Sequence, residues 1–174
     1  MDSHSSKLLN GLIFGLFLLL LAGAPIQANA EKAPMHLDIS ATVITLPLAP
    51  GLSPSDAVQS MKLRANFLNF KLVAEQPLSA QVKAMGRKNV RTLDIYQFCK
   101  PDVAYDMVQF NIAYAAYLPC RIALVEDAHG KYYLTMLNPK LLLSPNMPPA
   151  LKKQADDVIN GLMQIIKAGA EGAL

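Results

Sequence analysis

A strand-turn-strand pattern near the middle of the chain restricts its fold more than any other feature. Residues 121–127 (RIALVED) and 131–138 (KYYLTMLN) are rich in apolar, β-branched and aromatic side chains, and Gly130 stands in the short connection between them. Because glycine adopts the positive φ that a tight turn needs, the pattern predicts a β-hairpin. Residues 122–125 are apolar on both faces of the strand, which predicts a central position in a sheet.

Helix-start signals stand on both sides of this hairpin. Residues 53–56 (SPSD) combine an N-cap residue, a proline at the first helical position and an acid three residues after the cap. Pro101 marks a second helix start. After the proline pair at 148–149 a long helix is predicted, and its late glycines, Gly169 and Gly172, predict a frayed end. Apolar residues recur along this last helix at intervals of three or four: Leu151, Ala155, Val158, Ile159, Leu162, Ile165 and Ile166.

Three further segments have strand character, namely residues 41–48, 70–76 and 91–98. Between the last two, residues 77–89 are compatible with either a short helix around 79–85 or a loop. The resulting order is β-α-β-β-α-β-β-α. This order predicts an α+β fold, a two-layer sandwich in which an antiparallel sheet of about five strands carries two or three helices on one face.

The N-terminal segment contains an uncharged apolar run at residues 8–26, followed by a small-x-small motif at 28–30 (ANA) typical of a signal-peptidase site. We therefore predict a signal peptide over 1–30, a lead-in over 31–40 and a single domain over 41–174. An uncleaved anchor at 8–26 is the alternative, because the run approaches the roughly 20 residues that span a bilayer. The protein is predicted to be exported to the periplasm and to meet a membrane only if the N-terminal helix is retained.

The charge of the chain does not indicate nucleic-acid binding. The formal net charge is +3 over 174 residues, and the Lys and Arg residues are scattered. The densest group is GRKNVR at residues 86–91, three cations in a predicted loop. This group is interpreted as solvated surface, with a weak attraction to anionic lipid headgroups as the alternative.

Several motifs together resemble domain-of-unknown-function family 302 (DUF302). They are YQFCKPDVAYDMV, YLPCRIALVEDAHGKYYLTMLNP and the charged last helix, and the resemblance extends over residues 53–168. It implies a TATA-box-binding-protein-like α+β layer and a tendency to form homodimers. It transfers no catalytic residue, because the family has no settled activity. Cys120 matches the motif cysteine of the family in the run Leu118-Pro119-Cys120-Arg121.

The two cysteines of the chain, Cys99 and Cys120, have two interpretations. An isolated pair in an exported protein most often forms a disulfide, and the predicted strands place both residues at the same end of the sheet. A disulfide is therefore predicted. The alternative is thiol-dependent redox, sulfur-handling or copper-handling chemistry. Lys100 and a helix N-terminus beside Cys99, and Arg121 beside Cys120, would lower the thiol pKa and favour the reactive thiolate.

No catalytic motif accompanies the cysteines. The sequence lacks a nucleophile elbow, a phosphate-binding glycine loop and metal-spaced histidines, so neither an enzyme nor a cofactor or metal site is predicted. The connection at 112–119 (IAYAAYLP) is unusually apolar, and Tyr114, Tyr117 and Leu118 are predicted to form a ligand or dimer surface. The leading hypothesis is a non-enzymatic accessory or binding protein for a small apolar ligand or a protein partner.

Overall fold

The computed structural model describes residues 38–173. The predicted signal peptide or anchor, and most of the predicted lead-in, lie outside these residues. The strands are β1 (Val43–Pro47), β2 (Lys71–Gln76), β3 (Leu93–Cys99), β4 (Cys120–Glu126) and β5 (Tyr132–Leu137). The α-helices are α1 (Pro54–Phe67), α2 (Leu78–Ala84), α3 (Pro101–Phe110) and α4 (Pro149–Glu171), and short 3₁₀ segments cover Ile39–Thr42, Ile112–Tyr117 and Pro139–Leu142.

The five strands form one antiparallel sheet in the order β1-β5-β4-β3-β2. The predicted α+β class and the predicted order of elements are confirmed, as is the hairpin formed by β4 and β5. β4 lies in the middle of the sheet, as its apolar faces predicted. Residues 77–89, for which the sequence allowed either a short helix or a loop, contain the short helix α2.

Local capping explains why α1 begins where it does. The Ser53 hydroxyl oxygen accepts a hydrogen bond from the Asp56 backbone N–H at 3.1 Å and donates one to the Asp56 carboxylate at 2.7 Å. Pro54 occupies the first turn, where its missing N–H costs nothing. The predicted start signal is thus confirmed.

The hydrophobic core lies between the sheet and the paired helices α1 and α4. Alternation along the strands directs one set of side chains toward these helices, and their apolar stripes cover that set. The largest fully buried side chains are Met61, Phe98, Ile122, Leu134, Leu162, Ile165 and Ile166.

Close packing at α4 overturns the prediction that its last turns fray. The helix continues through Gly169 to Glu171 and ends at Gly172, which has the left-handed conformation of a C-cap glycine. A Cβ on Gly169 would overlap Met61 Cγ and lie 2.7 Å from Leu134 Cδ1. Gly169 therefore permits α4 to approach both α1 and the sheet, which explains glycine in a helix interior.

The opposite face of the sheet is only partly buried. Ile95, Ala123, Thr135 and Thr45 form one cross-strand row on this face, and the hydroxyl oxygens of the two threonines lie 2.9 Å apart. α1 and α4 pack on the other face, and α2 also reaches that face, through a 2.6 Å hydrogen bond from Ser79 to Asp94. We call the partly buried side the open face.

The two ends of the sheet differ in character. One end holds the start of β1, β2 and β4 and the termini of β3 and β5, and it includes both cysteines; we call it the cysteine end. The other, the hairpin end, holds the turn from Asp127 to Gly130 that joins β4 and β5. Among the helices of residues 38–173, none has the length and apolar character needed to cross a bilayer.

Candidate functional site

An apolar cavity of about 70 Å³ lies at the cysteine end, between the sheet, α3 and α4. Each neighbouring element supplies part of its wall. The lining residues are Phe70, Phe98, Cys99, Lys100, Val103, Ala104, Met107, Tyr114, Tyr117, Leu118, Cys120, Pro139, Leu142, Leu143, Ala155, Val158, Ile159 and Leu162.

The cavity exists because the chain leaves the sheet between β3 and β4. α3 starts at Pro101, directly after β3, and the 3₁₀ segment Ile112–Tyr117 leads back to β4. The Tyr114 hydroxyl fastens this excursion by donating a 2.8 Å hydrogen bond to the Leu142 carbonyl. Tyr114, Met147 and Ala155 form a small second core beneath it. α3 and the Ile112–Tyr117 segment thus form a wall of the cavity that is separate from the main core.

Six of the seven residues singled out from the sequence line this one cavity. They are Cys99, Lys100, Tyr114, Tyr117, Leu118 and Cys120. The seventh, Arg121, is exposed and does not line it. Tyr117 lines the cavity and is also 46% exposed, so the mouth of the cavity lies beside this side chain.

The predicted disulfide is absent, because both cysteines are free thiols in the structure. The strand register supplies a reason. Phe98, not Cys99, is the residue directly opposite Cys120. Since successive residues of a strand direct their side chains to opposite faces, an offset of one residue moves the thiols out of direct cross-strand opposition.

The predicted activation of the thiols is also wrong. Burial raises the pKa of the Cys120 thiol to about 11, the nearby Cys99 adds to the rise, and Arg121 lowers the pKa by less than burial raises it. Burial, followed by the negative charge of Asp102, raises the pKa of Cys99. Both cysteines are therefore neutral thiols at pH 7, whereas a nucleophilic cysteine needs a lowered pKa.

Lys100 is the single charged side chain among the residues that line the cavity. Its ammonium nitrogen lies 5.0 Å from the centre of the Phe70 ring, within the range of a cation–π contact. The apolar interior therefore has one positive group on its wall.

The sequence did not single out the aliphatic part of the wall. Val103, Met107, Val158 and Ile159 belong to helix stripes, which periodicity assigns to the core without showing that a stripe faces a cavity. Leu142 and Leu143 had no assignment. The signal that could have found them is the apolar run at 141–143, which lies in a connecting segment and not in a strand or long helix.

The chemistry available in the cavity is limited. It contains two protonated thiols, one thioether, two phenol rings and one ammonium group, with no carboxylate or imidazole to act as a base. Within the described part of the chain, no three His, Cys, Asp or Glu side chains are grouped as metal ligands. These groups are better suited to contact with an apolar ligand than to acid-base catalysis.

These features define an α+β single-sheet protein with an apolar cavity at one end. The chain belongs to the family described as "Domain of unknown function DUF302", whose model matches residues 44–169, as the motif resemblance predicted. A crystal structure of a protein described as "uncharacterized conserved protein DUF302", from Bacillus stearothermophilus, has the same fold. The TM-score is 0.61 at 17% sequence identity, covering 73% of this chain and 97% of that chain. No curated protein matches the chain.

Proposed function

We propose that this protein is a non-enzymatic binding protein whose cavity takes a small apolar ligand. The observation that carries the proposal is the lining of the cavity, which is aliphatic, aromatic or sulfur-containing at every position except Lys100. Binding pockets for small molecules are mostly apolar, with a few polar groups that fix orientation. Transfer of apolar ligand surface out of water would supply the affinity.

The size and opening of the cavity narrow the class of ligand. At about 70 Å³ it is well below the roughly 300–1,000 Å³ of sites that enclose a drug-sized molecule. A longer molecule can enter with one end through the mouth beside Tyr117. Lys100 favours a ligand with a negative group outside its apolar end. We therefore expect an amphiphile with a short apolar tail and an anionic head.

The thiol-dependent alternative has weaker support. Cys99 and Cys120 both line the cavity, together with the thioether of Met107, and soft ligands of this kind suit Cu(I). However, the raised pKa of each thiol opposes the thiolate form that redox chemistry and metal binding require.

Octanoate tests the proposal, because it combines an apolar tail with a carboxylate. Titration calorimetry on the wild-type protein should show binding of octanoate, and the Ala104→Leu variant should lower the affinity by about tenfold or more by filling the cavity. Ala128→Leu, at the exposed hairpin turn, is the matched control and should bind like the wild type. Thermal melting of each variant verifies that it is folded.

A second variant tests the orientation of the ligand. Lys100→Gln should weaken binding of octanoate but leave binding of 1-octanol, which has no charge, nearly unchanged. Failure of the wild type to bind either probe, or equal binding by wild type and Ala104→Leu, would contradict the proposal.

A further inference from the structure

We propose that the cysteine end of the domain docks on an anionic lipid surface. This interaction goes beyond ligand binding, and it stands whether or not the cavity takes octanoate. Four observations support it: exposed apolar side chains, an uncharged exposed segment, an excess of cations and the position at which the chain enters the domain.

Exposed apolar side chains are concentrated near this end. Within residues 38–173, seven large apolar side chains are more than half exposed, and one of them, Met85, lies at the hairpin end. The other six belong to segments that begin or end at the cysteine end: Ile112 (80%), Phe67 (75%), Ile39 (71%), Tyr105 (65%), Leu141 (57%) and Leu63 (52%). Clustered exposed apolar groups of this kind mark interaction surfaces.

Hydrogen bonds hold three of these segments close to one another. The Asn138 backbone N–H, just before the Pro139–Leu142 segment, donates to the Thr42 carbonyl at 2.8 Å. Tyr114 donates to the Leu142 carbonyl, which ties Ile112–Tyr117 to the same segment. Ile39, Ile112 and Leu141 therefore project from three linked turns.

The 3₁₀ segment Ile112–Tyr117 has the character of a membrane-contacting loop. Its sequence, IAYAAY, has no charged side chain, and every residue in it except Tyr114 is exposed. Tyrosine is enriched where proteins meet the headgroup region, because its ring is apolar and its hydroxyl is polar. A solvated loop would more commonly carry charged or small polar residues.

Cations surround these apolar groups. Lys71, Arg121 and Lys140 are exposed at this end, and none of them forms a salt bridge within the described residues. Arg64 lies 5.7 Å from the Phe67 ring and Lys100 lies over Phe70, which gives five cations outside ion pairs. The acids outside ion pairs at this end are Asp38, Asp102 and Asp106, and the pairs Lys152–Asp156 and Lys153–Asp157 at the start of α4 add no net charge, so the local balance is +2. An anionic surface complements this charge.

The chain enters the domain at the same end. Asp38 directly precedes the Ile39–Thr42 segment and β1. The uncharged run at 8–26 lies only eleven residues upstream, at most about 40 Å of extended chain. Retention of that run in a bilayer would hold the cysteine end near the lipid. After cleavage, docking would depend on the end surface alone.

The hairpin end is the competing surface. Lys83, Arg87, Lys88, Arg91 and Lys131 stand there, together with Met85, which is 83% exposed. However, Met85 is a single apolar side chain without linked apolar neighbours of comparable exposure, and Asp94, Glu126 and Asp127 lie at the same end. Since cations exceed acids among the named residues at both ends, the larger number of exposed apolar side chains is what favours the cysteine end.

Vesicle binding by residues 31–174 tests this proposal without the apolar run. Residues 31–174 contain every described helix and strand. Since the matching region covers 97% of the solved DUF302 protein, this part of the chain contains the whole fold. In co-sedimentation, it should bind vesicles of phosphatidylcholine with phosphatidylglycerol more strongly than vesicles of phosphatidylcholine alone.

Paired variants locate the contact surface. Arg121→Gln with Lys140→Gln should lower the partition coefficient on anionic vesicles by about thirtyfold. Arg87→Gln with Lys88→Gln removes the same charge at the hairpin end and should have little effect. Octanoate binding by the first pair should stay unchanged, which separates docking from the function of the cavity.

A tryptophan reporter gives an independent readout, because the chain has no tryptophan. Ile112→Trp should show a blue-shifted emission with anionic vesicles, whereas Met85→Trp should not. No binding to anionic vesicles, a shift at Met85→Trp alone, or equal loss in both charge pairs would overturn the proposal.

Discussion

At the scale of single residues, burial outweighs neighbouring charge at the two thiols. Lys100, Arg121 and a helix N-terminus are visible in the sequence, and each would favour a thiolate. The desolvation of Cys120 depends on residues far away in the sequence, among them Leu142, Ile159 and Leu162, which line the same cavity. Sequence neighbours therefore predicted a lowered pKa, while the folded surroundings raise it.

This difference leads to a prediction about cysteine labelling. With a pKa of about 11, only about one Cys120 in 10,000 is a thiolate at pH 7, and the fraction increases as pH rises toward the pKa. Iodoacetamide should therefore modify Cys120 about a hundredfold more slowly than a free cysteine at pH 7, and more slowly than Cys99. Mass spectrometry of digested samples measures both rates.

Labelling in denaturant is the control, since both thiols should then react at the rate of a free cysteine. Rapid modification of Cys120 in the folded protein would show that the thiol is neither buried nor protonated as described.

At the scale of elements, α4 depends on small residues for its close contact with the rest of the domain. A Cβ at Gly161 would lie 2.5 Å from Phe70 Cε2, and one at Gly169 would meet Met61 and Leu134. Glycine normally weakens a helix interior by about 1 kcal/mol relative to alanine. Here the absence of a side chain permits the tight packing of α4 on α1 and the sheet.

Substitution of Gly169 should therefore reverse the usual effect of alanine in a helix. We expect Gly169→Ala to lower the free energy of unfolding by about 1–3 kcal/mol, because the added methyl group overpacks the core. Asn160→Ala, at an exposed position of the same helix, should be neutral or slightly stabilising. Urea denaturation of the two variants distinguishes these outcomes, and a stabilised Gly169→Ala protein would contradict the packing.

Most elements could be predicted from sequence because their signals are local. Each such signal involves residues that are close together in the sequence. Examples are the capping pair Ser53 and Asp56, the turn glycine Gly130 and the apolar stripe of α4. Three other features depend on contacts between residues that are distant in the sequence. They are the close packing at Gly169, the offset of Cys99 from Cys120 and the assembly of the cavity wall. They depend on strand register and helix contact, which no short window of sequence contains.

At the scale of the whole molecule, the open face leaves an apolar surface on a sheet that is otherwise covered. Ile95, Ala123, Val125 and Tyr133 lie on it, each partly buried. The resemblance to DUF302 proteins implied homodimers, and we propose that a second copy of the domain packs on this face. Sheet faces of this character are stabilised when another layer covers them.

Size-exclusion chromatography with light scattering tests this proposal on residues 31–174. The wild type should be dimeric, and Ile95→Lys should shift it to monomers because a charge would be buried in the interface. Leu63→Lys, at a half-exposed site on α1, is the matched control and should stay dimeric. A monomeric wild type at high concentration would refute the pairing.

The strand order also determines when the domain can complete its fold. β2, β3, β4 and β5 are neighbours in both sequence and space, but β1 pairs only with β5, and α1 packs against α4. The first strand and first helix must therefore wait for the last ones, and closing so long a loop slows folding. A chain emerging from the ribosome would keep β1 without its partner strand until β5 appears, and α1 without its partner helix until α4 appears. The core between the sheet and the paired helices can thus form only after nearly the whole domain has been synthesised.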